Sequence, residues 1–135
     1  MTAEHRIVDV PGLPEPVGYA HAVVGAAGGR TVHLGGQTAL EPDGSIRGET
    51  FVEQFDVAAG NVVAALRAAG GEPDDVVQVL VFVTDVAEYK AALRDLAPVW
   101  KRHFGRRYPV MALLGVSALF DEAAKVELVA TAVIA

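Results

Sequence analysis

The sequence predicts an α+β fold: one mixed six-stranded sheet with two helices on one face, in the order β-β-β-α-β-α-β-β. Three observations carry this. Residues 76–83 form a short apolar run reached through one helical pattern and left through another, the arrangement of βαβ units. The C-terminal run Val126-Glu127-Leu128-Val129-Ala130-Thr131-Ala132-Val133-Ile134 is apolar on both alternating faces except at Glu127 and Thr131, as a central strand covered on both sides would be. Two helices can cover only one face of such a sheet. The other face then needs a partner, and a second copy of the chain is the simplest one.

Arg6 to Val10 reads as the first strand. Pro11 to Gly18 holds three prolines and two glycines and is a loop. Tyr19 to Val24 and Thr31 to Leu34 are the next strands, separated by a turn at Gly25 to Gly29. The third strand ends at Gly35-Gly36-Gln37, where paired glycines let a ligand or another backbone approach, or make a bulge or turn. Glu41-Pro42-Asp43-Gly44 is a turn signal.

Thr50-Phe51-Val52-Glu53 is a capping box that starts a helix to about Ala69. Phe51, Phe55, Ala58, Ala59, Val62, Leu66 and Ala69 share one face, and Gly70-Gly71 stops the helix. Val76 to Val83 is the fourth strand. Asp85 to about Phe104 is the second helix, with Tyr89, Leu93, Leu96 and Trp100 facing inward. Pro98 lies inside it and predicts a kink or break near Leu96. Pro109-Val110-Met111-Ala112-Leu113-Leu114-Gly115-Val116 and the C-terminal run complete the sheet.

A chain of 135 residues, 52% hydrophobic, is a single domain (1–135) able to bury a core. No apolar run reaches the roughly 18 residues that a membrane span needs, and the N-terminus lacks a signal-peptide pattern. There is no cysteine, which excludes disulfides, thiol nucleophiles and Cys-built zinc sites. A cytoplasmic setting is the expectation. The net charge of −6 argues against a nucleic-acid partner. The basic cluster Lys101, Arg102, Arg106 and Arg107 follows the preference for cations at a helix C-terminus.

Glu127 is the ionisable group within the apolar C-terminal strand. A carboxylate there must be paired, hydrogen-bonded or protonated, so it is either a structural group or a proton carrier. Histidines 5, 21, 33 and 103 have no metal-ligand spacing, so no metal site is expected. Neither phosphate-loop nor dinucleotide glycine motifs occur, and Ser45 and Ser117 lie outside any nucleophile elbow.

Several motifs together resemble the RidA/YjgF family, also called the Rid or L-PSP endoribonuclease-like family. They are Tyr19-Ala20-His21-Ala22-Val23, Gly35-Gly36-Gln37, Asn61 with Ala64, Leu66, Ala68, Ala69 and Gly70, Val81-Phe82-Val83-Thr84-Asp85, and Val126-Glu127-Leu128. The resemblance implies a chorismate-mutase-like subunit in a homotrimer, with small-molecule clefts between subunits and no cofactor. It implies hydrolysis of a small reactive enamine or imine to a carbonyl product and ammonia. Glu127 matches the family's water-activating Glu, and Tyr19 the cleft-lining Tyr. Gly35, Gly36, Met111 and Ala112 are the further substrate-binding positions. The family's Pro-Ala-Arg-Ser-like segment, whose Arg clamps a substrate carboxylate, is here Pro109-Val110-Met111-Ala112. Met111 replaces the Arg, and a thioether cannot form a charge-assisted fork. An altered substrate range is therefore expected. Arg106 or Arg107 reaching the cleft would restore a cation. The alternatives are a non-catalytic, metabolite-binding or regulatory relative, and an endoribonuclease.

Overall fold

Each helix begins where its capping residue stands. In the computed structural model, which describes residues 5–135, Thr50 Oγ1 accepts the backbone N–H of Glu53 at 3.2 Å, and helix α1 spans Phe51–Ala68. Glu53 reaches one residue past the cap and accepts the N–H of Glu49 at 3.1 Å. One first-turn donor and the N–H before the cap are thus satisfied by side chains. Asp85 caps helix α2, Val86–Phe104, by accepting the N–H of Glu88 at 3.1 Å. Of the kink or break expected near Leu96, no break occurs: α2 continues through Pro98. Proline deprives the Arg94 carbonyl of its helical donor, but Arg94 and Pro98 are both exposed, so water can serve that carbonyl.

The strands are β1 (Arg6–Val8), β2 (Ala22–Val24), β3 (Arg30–His33), β4 (Val76–Val83), β5 (Val110–Gly115) and β6 (Val126–Ile134). A short 3₁₀ turn, Pro73–Asp75, leads into β4. The six strands form two sheets. One is four-stranded, in the order β3-β6-β4-β5, and the other pairs β1 with β2. The larger sheet is mixed: β4 and β5 run parallel, joined by α2, while β6 is antiparallel to β3 and β4. A single parallel bridge, Ala20 to Val110, connects the segment before β2 to β5. The second strand is accordingly shorter than expected, and Tyr19 lies outside it.

Both helices lie on one side of the larger sheet. Phe51, Phe55, Val62, Leu96 and Trp100 pack with Val79, Val81, Val126, Leu128 and Ala130 in one core cluster. Leu93 is instead half-exposed, and Ala69 is the exposed C-cap of α1. On β6 the buried and half-buried residues alternate strictly, with Glu127, Val129, Thr131 and Val133 facing away from the helices. Leu80 and Phe82 share that second face, as do Ala112 and the exposed Leu114. No helix among the described residues covers this largely apolar face; the turn at residues 25–29, against Val133, and Gly36, against Glu127, approach it.

Candidate functional site

Two linkages between distant segments gather the candidate residues into two groups. In the first, the Ala20 N–H donates to the Pro109 carbonyl at 3.0 Å. That bond lays the loop before β2 along the start of β5. Tyr19, Met111 and Ala112 consequently line one cavity of about 280 Å³. Tyr19 is held in turn by His21, whose ring meets it edge-on at 5.1 Å. His21 Nε2 donates to the Pro14 carbonyl at 2.8 Å, so the proline-rich loop is tied down as well.

A second cavity, of about 390 Å³, shares Met111 and Tyr89 with the first and extends between β5 and α2. Met111 is half-buried and packs against the core. Tyr89 is also half-buried; its hydroxyl is held above the usual tyrosine range, first by burial and then by the nearby Tyr108.

The second group forms around β6. Gln37 and Leu128 exchange backbone hydrogen bonds, both 2.8 Å. This pairing presses Gly36 against Glu127: a Cβ on Gly36 would lie 2.5 Å from Glu127 Oε1 and 2.9 Å from its Cδ. The backbone of Gly36 is not in the left-handed region, so the absent side chain matters only for the room it leaves the Glu127 carboxylate. Gly35 faces open space. The carboxylate of Glu127 is half-buried and, among the described residues, has no hydrogen-bond or ion-pair partner.

Two amides that sequence reading left without a role hold this second group in place. Asn61 Nδ2 on α1 donates to the carbonyls of Thr38 and Leu40, each at 3.0 Å, and fixes the loop after Gly36. Gln54 is fully buried. Its Nε2 donates to the carbonyls of Gly48 and Ala123, at 3.1 and 2.9 Å, and its Oε1 accepts the Lys125 N–H at 2.8 Å, two residues before Glu127. The signal was available: Gln54 lies three residues after Phe51 and four before Ala58, on the buried stripe of the helix.

The two groups do not meet within one chain. Met111 is in register with Val79 and Ala130 on the helix-covered face, whereas Glu127 is in register with Phe82 and Leu114 on the opposite face. Two strand spacings and three residues separate them, about 14 Å between Cα atoms. A small molecule touching Glu127 and Met111 of the same chain would have to pass through the sheet or around its β5 edge. Within one chain Arg106 and Arg107 lie away from Met111. Neither lines the cavities at Met111, and Arg107 lies on a separate small cavity beside Asp74 and Trp100. Among the described residues no three His, Asp or Glu side chains cluster as metal ligands do, and no helix is long and apolar enough to cross a membrane.

Comparison with known proteins gives a consistent answer. The family model described as Endoribonuclease L-PSP matches residues 14–134. A 2-iminobutanoate/2-iminopropanoate deaminase of Capra hircus is 31% identical over 130 residues, 95% of this chain and 89% of that protein. A RutC family protein of Pyrococcus abyssi is 29% identical over 108 residues, 78% of this chain and 80% of the relative. Among solved structures, a conserved Rid-family protein from Yersinia pestis superposes with a TM-score of 0.85 at 28% identity, covering 97% of this chain and 99% of that one. RidA from an Antarctic Psychrobacter gives 0.68 at 28% identity, with 96% and 99% covered.

Proposed function

This chain belongs to the endoribonuclease L-PSP family, also called the Rid or RidA/YjgF family, and on that premise we propose that it hydrolyses a small reactive enamine or imine to a carbonyl product and ammonia. The observation that carries the reading is the half-buried Glu127, pressed against Gly36 and without a hydrogen-bond or ion-pair partner among the described residues. An unpaired, partly desolvated carboxylate can take a proton from water and return it to a leaving nitrogen. The step balances without a cofactor. Water oxygen adds to the carbon of C=N, and Glu127 relays its proton to the nitrogen. The hydroxyl proton of the resulting carbinolamine then passes to the nitrogen as the C–N bond breaks, releasing ammonia and leaving C=O; an enamine first takes a proton at its β-carbon to become the imine.

The cleft of this proposal lies between copies of the chain in a homotrimer, in a cytoplasmic setting. Support comes from the apolar sheet face that no helix covers and from the placement of Glu127 and Met111 on opposite faces. Glu127 and Gly36 of one subunit would face Tyr19, Met111 and Ala112 of the next. With Met111 in place of the clamping arginine, the substrate range shifts away from carboxylate-bearing imines. A charge-assisted fork contributes roughly 1.5–3 kcal/mol per hydrogen bond to a charged group, and a thioether contributes none of it.

Ammonia release tests the reading, using freshly generated 2-aminoacrylate and the neutral imine of acetophenone as substrates. Wild type should accelerate at least one of them, and Glu127→Ala should slow that reaction by about 10²–10⁴-fold. No acceleration with either substrate, or rates unchanged in Glu127→Ala, would overturn it.

Met111 favours a second reading, a non-catalytic relative that binds a small metabolite. Ligands that raise the melting temperature of wild type and Glu127→Ala alike, without turnover, would establish that one. Ribonuclease action has less support: the net charge is −6 and no two histidines are spaced as an acid–base pair.

A further inference from the structure

The cavity behind Met111 has a composition that the proposed reaction does not require. It occupies about 390 Å³ between β5 and α2, within the roughly 300–1,000 Å³ of small-molecule sites. None of its lining side chains is charged. Its walls include Phe55, Leu96 and Met111, with Tyr89, Tyr108 and Trp100 as the polar-edged members. Trp100 stacks on Tyr108 with ring centres 5.5 Å apart and planes inclined by 14°, which makes one flat aromatic wall. Trp100 is only 4% exposed, and its Nε1–H is buried with no acceptor among the described residues. A buried indole N–H usually has a partner, and leaving it unpaired costs about 1–3 kcal/mol. The mouth, at the half-exposed Leu93 and the exposed Val17 and Ala97, is open to solvent.

We infer that this cavity is a specificity subsite for an uncharged ligand: a ketone, or its imine, whose flat or branched apolar substituent enters past Met111 and lies along the wall made by Trp100 and Tyr108. The inference rests on the cleft of the proposed function and names the substrate class it admits. Met111 then has a positive role. An arginine at 111 would place a guanidinium at the entrance to an apolar chamber and draw a carboxylate to it. The thioether continues the apolar wall and adapts to the shape of what enters. A free carboxylate in this chamber would find no cation and would lose its hydration.

Trp100 is the chain's single tryptophan, so its indole resonance and its fluorescence each report on one site. The ¹⁵N-labelled protein is titrated with acetophenone, with ethylbenzene of similar shape but no acceptor, and with pyruvate. Acetophenone and ethylbenzene should each saturate at a concentration at least tenfold below pyruvate, changing the fluorescence and shifting the indole resonance. Ala97→Phe, a substitution at an exposed helix position on the cavity wall, should abolish both responses, and Met111→Arg should reverse the order of acetophenone and pyruvate. Pyruvate binding to wild type as well as acetophenone does, or acetophenone shifts unchanged in Ala97→Phe, would overturn the subsite. The two proposals fail separately. Acetophenone binding with no ammonia released from its imine retains the subsite and removes the hydrolase. Ammonia release from 2-aminoacrylate alone, with no acetophenone binding, does the reverse.

Discussion

Gly36 shows how one missing methyl group can decide the position of a catalytic candidate. A Cβ at this position would overlap the Glu127 carboxylate, the far end of a flexible side chain, so alanine is accommodated by pushing that carboxylate aside. The backbone itself is unstrained, and Gly36 is exposed. Gly36→Ala should therefore leave the melting temperature nearly unchanged. It should lower imine hydrolysis by about 10²-fold, the usual consequence of an ångström-scale displacement of a reacting group. A melting curve and an ammonia-release assay on the same preparation check both halves. Activity equal to wild type would mean that the carboxylate's position against Gly36 is irrelevant to turnover. The glycine pair was visible in the sequence, but its use was not. Gly35 opens onto free space while Gly36 accommodates an acid 91 positions later, and neighbour identity at that range is set by the Gln37–Leu128 pairing.

Among the elements, the two helices are joined on their outer side by an ion cluster. Asp56 of α1 accepts from Arg102 and from His103 Nε2 of α2, the latter at 2.6 Å. The hydrogen bond from His103, and then Arg102, hold the Asp56 carboxyl below its ordinary value. A depressed folded-state value means that the cluster's stabilisation is present above the unfolded value, near 3.9, and is lost as the pH falls through the lowered one. The Asp56 side chain is 41% exposed, so solvent screening limits its worth to about 0.2–1 kcal/mol. Asp56→Asn should lower urea stability by that amount at pH 7 and converge on wild type in strong acid. A difference that grows on acidification would refute the assignment. The helices themselves were legible because apolar spacing and caps are local signals. The unbroken passage of α2 through Pro98 was not, because it depends on which way the Arg94 carbonyl faces.

At the scale of the whole molecule, the informative feature is a sheet finished on one side only. Leu80, Phe82 and Val129 are half-buried on a face that no helix covers, and such an apolar face calls for a partner. The homotrimer of the proposed function would supply it. Val129→Asp places a carboxylate at the middle of that face, where burial without a partner is costly. Sedimentation should then show wild type at three times the mass of one chain and the variant as a single chain with its secondary structure intact. A monomeric wild type would remove the composite cleft.

Strand and helix order, the capped helix starts, the doubly apolar β6 and the lone acid within it were determined by the sequence alone, because periodicity and capping act over a few residues. Only the tertiary structure decided that Glu127 and Met111 fall on opposite faces. It also decided that Tyr19 reaches Met111 through one backbone bond and that an uncharged aromatic chamber lies behind the thioether. Strand register and cavity shape come from contacts between residues tens of positions apart, and no local pattern encodes them.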